Sequence, residues 1–176
     1  LKCQAGIVIT ASHNPKEYNG YKAYWEDGGQ LVSPHDKNVI TEVEKITDIS
    51  MVNFNVNNDL IEYLDEKFDE IYINKILGLS LSPESIKNQK DLVFVYTPIH
   101  GTGGQIIPKL FSKAGFNNVY SVEEQMIVDG NFPTVVSPNP EEKAALTLAI
   151  EKAKEVNADV VLATDPDADR VGIAVK

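Results

Sequence analysis

Cysteine is almost missing from this chain: Cys3 stands alone among 176 residues. A lone cysteine excludes an internal disulfide and a zinc site built on cysteine pairs. Long apolar runs are missing too. None approaches the roughly 20 residues that cross a bilayer, so no membrane partner is expected. Positive charge is short: 16 Lys and Arg face 26 Asp and Glu, a net charge of −10. Nucleic-acid binding needs clustered cations on the phosphate backbone, so this charge argues against a nucleic-acid partner. No signal-peptide pattern opens the chain. With no leader and no cysteine framework, the expected compartment is cytoplasmic.

What remains has the composition of a folded globular protein, with 43% apolar and 24% charged residues. Leu1-Lys2-Cys3-Gln4 runs straight into a strand, and Val171-Gly172-Ile173-Ala174-Val175-Lys176 reads as a strand with nothing after it. Both ends are expected to be cuts in a longer chain.

Residues 6–10 read as a buried strand ending at a turn on Ser12, and Tyr21-Lys22-Ala23-Tyr24 as a short strand between glycine turns. Ser33-Pro34-His35-Asp36 has the pattern of a capped helix start, followed by Val39, Ile40, Val43 and Ile46 at helical spacing. Asn58-Asp59 predicts a second helix, with Leu60, Ile61, Leu64, Phe68, Ile71 and Tyr72 on one face. Gly78 to Lys90 is polar and turn-rich, which places a domain boundary there, between 1–88 and 89–176.

Beyond it the pattern changes. Leu92 to Tyr96 is a continuous apolar run, as in a strand buried on both faces. His100-Gly101-Thr102-Gly103-Gly104 follows, then a helix to Ala114 stopped by Gly115. Val119 to Val122 is the next strand, and Asp129 to Pro140 a long loop. Asn139 caps a predicted third helix with Pro140 at its first position and an apolar stripe of Leu146, Ala149, Ile150 and Ala153. Asp159 to Ala163 is another buried strand. This alternation predicts an α/β fold with mixed, largely parallel sheets packed with helices.

Two motifs carry chemistry. Asp165-Pro166-Asp167-Ala168-Asp169-Arg170 sets three carboxylates at alternate positions directly after a buried strand. A solvated turn would not need that pattern. An EF-hand loop would need Gly at its sixth position and Glu at its twelfth, where this chain has Arg170 and Lys176. Three carboxylates with open positions suit Mg²⁺, and Arg170 beside them suits a phosphate.

Thr10-Ala11-Ser12-His13-Asn14-Pro15 sets a hydroxyl beside an imidazole on a turn. The serine-hydrolase signature G-x-S-x-G is absent, and a sequence-adjacent His is expected to be poorly placed to activate its neighbour. A serine that accepts and returns a phosphoryl group needs instead a cation, positive charge and in-line access. The amides of the His100–Gly104 turn offer an anion site, although no Walker sequence follows. By spacing alone, Lys22 is a solvated edge charge.

These motifs, with Asn19-Gly20-Tyr21-Lys22 and His100-Gly101-Thr102-Gly103, occur in an order and spacing that resemble the α-D-phosphohexomutases across essentially the whole chain. That family has four domains. The resemblance implies the latter part of the first and most of the second. It implies that Ser12 is a phosphoserine, and that Asp165, Asp167 and Asp169 hold Mg²⁺ with a phosphoserine oxygen as a further ligand. Lys22 becomes the general acid/base at the sugar hydroxyl. His13 and Arg170 orient or neutralise the moving phosphoryl group. The partner is a small phosphosugar, turned around through a sugar bisphosphate.

Tyr18-Asn19-Gly20-Tyr21-Lys22, Asp129-Gly130-Asn131-Phe132-Pro133 and Ser137-Pro138-Asn139-Pro140-Glu141 look like the bacterial phosphoglucomutases related to phosphopentomutase. Phosphomannomutase and phosphopentomutase are the alternatives within the family. A non-catalytic cation or phosphate module and a metal-dependent phosphatase are those outside it. The family's sugar- and phosphate-recognition loops of the third and fourth domains are absent, so this chain alone is expected not to turn over substrate.

Overall fold

The computed structural model describes all residues, 1–176. It divides into two compact units, one of residues 1–9 and 21–64, the other of residues 10–20 and 65–176.

In the first unit, strands β1 (Ala5–Thr10) and β2 (Gly20–Trp25) form a two-stranded sheet. β1 was expected to be buried, yet Ile7 and Ile9 are 58% and 59% exposed. A two-stranded sheet has no neighbouring strands, and helix α1 (His35–Val43), also in this unit, buries no residue. Pro34 occupies the cap position of α1 and no side chain caps it, so Ser33 does not play the part its sequence suggests. Trp25 and His35 stack, with ring centroids 5.2 Å apart. The helix expected from Asn58 is only a single 3₁₀ turn, Asn58–Leu60, capped by Asn57. The chain extends after it, and Leu60 stays 82% exposed.

The second unit has a true core. Helix α2 (Glu66–Leu77) starts where the Asp65 carboxylate accepts the Lys67 amide at 3.0 Å, and it buries Ile73. The turn-rich segment 78–90 contains a short helix α3 (Pro83–Asn88). Strands β3 (Val93–Thr97), β4 (Asn118–Ser121), β5 (Val160–Thr164) and β6 (Val171–Val175) form one sheet in the order β4-β3-β5-β6. β3 is parallel to β4 and β5, and β6 closes antiparallel on β5. The expectation of a mixed, largely parallel sheet therefore holds.

Helix α4 (Gly103–Ala114) follows β3 and ends at Gly115, whose φ of 104° suits a residue without Cβ. A single helical turn α5 (Glu123–Met126) follows β4. Helix α6 (Thr147–Val156) begins later than Asn139 predicts. The Asn139 side chain accepts the Glu141 amide instead, and residues 142–147 are bonded i to i+3 before the regular helix sets in. Val95, Val122, Ala149, Ala158 and Val161 pack as one cluster between sheet and α6; Ile99, Ala145, Leu146 and Ala163 form another. Phe94 stacks with Phe111, and both meet the Phe116 edge.

Candidate active site

Parallel neighbours β3 and β5 end side by side, with Thr97 opposite Ala163. Loops leaving the carboxyl ends of such strands meet in one crevice, the usual ligand position in an open α/β sheet. Here they are His100–Thr102 and Asp165–Arg170.

The acidic loop is folded on itself. The Arg170 amide donates to Asp165 Oδ1 at 2.9 Å, and the Ala168 amide to the Asp165 carbonyl at 2.9 Å. Ala168 takes a φ of 61°, a left-handed turn that brings the alternate carboxylates round to one side. Carboxylate oxygens of Asp165, Asp167 and Asp169 lie within 4.8 Å of one another. Asp165 is fully buried, Asp167 half-buried and Asp169 exposed. Burial holds the Asp165 carboxyl above its ordinary range, with Asp167 adding to the effect. The Arg170 amide and the Ser12 hydroxyl work in the opposite direction. An all-oxygen donor set with one deeply placed carboxylate fits a hard divalent cation such as Mg²⁺.

The Ser12 turn belongs to the same compact unit. Ser12 has a φ of 53°, a strained conformation for a residue with a Cβ, and its amide is held by Thr10 Oγ1 at 2.8 Å. Its hydroxyl donates to Asp165 Oδ2 at 3.1 Å, across 153 residues of sequence. His13 Nδ1 lies 3.2 Å from Ser12 Oγ. The turn folds the imidazole back over its neighbour, where it faces Ser12 Oγ without taking its proton. With the Ser12 proton on Asp165, the imidazole contact is made by an Nδ1–H donating to Oγ.

The contacts of the 129–140 loop were not assigned from the sequence. Ser137 Oγ donates to the His13 carbonyl at 3.3 Å, and Lys16 Nζ to Asn131 Oδ1 at 3.3 Å, so the 129–140 loop braces the serine turn. Arg170 pairs with Glu141 at 2.8 Å. Lys22, half-buried on β2, belongs to the other unit.

Three amides of the His100–Gly104 turn are already bonded within the protein. The His100 amide donates to the Gln125 carbonyl, Gly101 to Pro98 and Thr102 to Pro166. His100 itself is buried, with Nδ1 donating to the Ile127 carbonyl at 2.9 Å and Nε2 2.8 Å from Thr134 Oγ1. Thr134 also accepts from Gln125, which accepts from Thr97, so a buried polar chain ties the turn to the core.

Residues 70–176 match the family described as phosphoglucomutase/phosphomannomutase, alpha/beta/alpha domain II, and residues 1–50 match its domain I. A Haemophilus influenzae protein named "Probable phosphomannomutase" is 43% identical over 97% of this chain and 35% of its own length. A Staphylococcus haemolyticus phosphoglucomutase is also 43% identical, over 98% of this chain and 31% of its own length. This chain thus spans about a third of the length of these relatives. Among solved structures, a phosphoglucomutase/phosphomannomutase family protein from Burkholderia thailandensis superposes with a TM-score of 0.68 at 25% identity, over 97% of this chain and 33% of that one.

Proposed function

The chain belongs to the phosphoglucomutase/phosphomannomutase family, and from that premise we propose that it carries the phosphoryl-transfer centre of a phosphosugar mutase. The observation that carries the proposal is the Ser12 hydroxyl, bonded at 3.1 Å to Asp165 in the three-carboxylate cluster.

In this reading Ser12 Oγ is the phosphoryl carrier. Its bond to phosphorus breaks as a sugar hydroxyl attacks, and the hydroxyl proton passes to Lys22. Reversal at the other end of the resulting sugar bisphosphate returns a phosphoryl group to Ser12 and leaves the isomeric monophosphate. Asp165, Asp167 and Asp169 would hold Mg²⁺, which when bound supplies charge neutralisation for the phosphoryl oxygens. His13 is within reach of Ser12 Oγ and assists in the same neutralisation. Arg170, paired with Glu141 here, turns to the phosphoryl group when one is present. We take glucose 1-phosphate to glucose 6-phosphate as the reaction, with mannose and pentose phosphates as alternatives. Two relatives of equal identity, 43%, are named phosphoglucomutase and probable phosphomannomutase, which is why both sugars stay in the proposal. We further propose that residues 1–88 and 89–176 correspond to two family domains and that this chain alone does not turn over substrate.

The test is covalent. The full-length protein that contains this chain is incubated with Mg²⁺ and glucose 1,6-bisphosphate, and its intact mass and the peptide spanning residues 3–16 are measured. One phosphoryl group on Ser12, absent in Ser12→Ala, is the expected result. An unmodified Ser12 peptide sinks the proposal in favour of a non-catalytic cation-binding module.

A further inference from the structure

The peptide between the first two carboxylates is not held by its own loop. The Pro166 carbonyl accepts two hydrogen bonds from one residue of the neighbouring turn, the Thr102 amide at 2.9 Å and the Thr102 hydroxyl at 3.1 Å. Gly101 touches the same peptide. A Cβ on Gly101 would lie 2.3 Å from Pro166 Cα and 2.6 Å from its carbonyl oxygen, distances that no flexible side chain is there to relieve. The turn is itself immobilised. His100 is buried with both ring nitrogens bonded, its carbonyl accepts the Asp129 amide, and the Gly101 amide is bonded to Pro98.

We infer that Gly101 and Thr102 are positioning residues that clamp the Pro166 peptide, and through it set the spacing of Asp165 and Asp167 for a divalent cation. The inference rests on the proposed reading of the acidic loop as a cation site. Three carboxylates within 4.8 Å of one another repel when ionised, so convergence needs an outside restraint. The loop's internal bonds fix Asp165, Ala168 and Arg170. The clamp fixes the peptide linking Asp165 to Asp167. Partners that orient ligands from behind typically contribute 10–100-fold in metal affinity, roughly the scale expected here.

The experiment titrates the chain with Mn²⁺, following free ion by its paramagnetic resonance signal, and records a thermal midpoint for each variant. Thr102→Val keeps the shape and the amide bond but removes the hydroxyl donor. Its Mn²⁺ affinity is expected to fall about tenfold, with a midpoint shift of no more than ~2–4 °C. Thr102→Ser returns the donor and is expected to restore affinity to within about twofold of the unsubstituted chain. Gly101→Ala is expected to bind more weakly still. Should it fail to fold, the Thr102 pair decides alone. Unchanged Mn²⁺ affinity in Thr102→Val, or no recovery in Thr102→Ser, overturns the clamp while leaving the cation site standing. No binding by the unsubstituted chain overturns the cation site, and the clamp with it.

Discussion

Ile7-Val8-Ile9 in β1 and Phe94-Val95-Tyr96 in β3 are nearly the same sequence event, a short apolar run leading toward a polar turn. Their fates are opposite. The first three are 58%, 37% and 59% exposed, and the second three 7%, 0% and 1%. β3 has parallel strands on both sides and the α6 helix against it, whereas β1 pairs only with β2. An apolar run therefore specifies an extended backbone, and burial is decided by which elements pack around it. The unit around β1 buries no residue, and the unit around β3 carries both clusters and the site.

The strongest way to break this comparison is to cut equivalent side chains on both sides. Val95→Ala removes a fully buried side chain from the main cluster and is expected to cost about 2–3 kcal/mol in urea unfolding. Ile7→Ala, on an exposed position, should stay within about 0.5 kcal/mol. Equal losses at the two positions would show that β1 is buried in solution and that the contrast fails.

A smaller effect sharpens the comparison at the site. Asp165 is fully buried, and its carboxyl is held above the ordinary value of 3.8 chiefly by that burial. A folded state that holds the proton more tightly than the unfolded one is stabilised by this group below the unfolded pKa. That share is lost as pH rises through the raised folded value. At neutral pH the buried carboxylate is then a cost in the metal-free chain. Asp165→Asn should melt higher than the unsubstituted chain at pH 7 without metal, and the gap should close as pH falls toward 3.8. Added Mn²⁺ should raise the midpoint of the unsubstituted chain and not of the variant. A variant that melts lower at pH 7 refutes this account of Asp165.

The same contrast explains what could be read from the sequence. β3, α4 and β5 were legible because a strand buried on both faces is a continuous apolar run, and Gly115 marks a stop by its backbone freedom. The site's cast was legible in the motifs holding Ser12 and the three aspartates. Its contacts were not. Ser12 meets Asp165 across 153 residues, and Gly101 meets Pro166 through a backbone approach that no local pattern encodes. The helix starts at Asn58 and Asn139 failed for a shared reason. An Asn can cap a single turn or close an Asx turn as readily as it caps a long helix, and tertiary packing chooses. The closeness of His13 to Ser12 Oγ was not legible either, because it depends on Ser12 being held at a φ of 53°.

The smallest predicted effect concerns α2, which the polar stretch after Gly78 would assign to the first half and which packs in the second unit. Its hold there is Ile73, fully buried, with the Asp69–Lys109 pair at 3.0 Å and the Glu70–Lys113 pair reaching α4 at the rim. The Asp69 carboxylate, first among its neighbours, raises the Lys109 ammonium above its ordinary value. That contribution is present below the ordinary lysine pKa and is lost as pH rises through the raised one. Both groups are partly in water, so the pair should matter little. Asp69→Asn is expected to lower the thermal midpoint by less than the Asp165→Asn change raises it, and the difference should vanish in ~1 M salt. Ile73→Ala, by contrast, should melt much lower at any salt. If Asp69→Asn proved the more damaging of the two, charge rather than burial would be what ties α2 to its unit, and the rule drawn from β1 and β3 would not extend to helices.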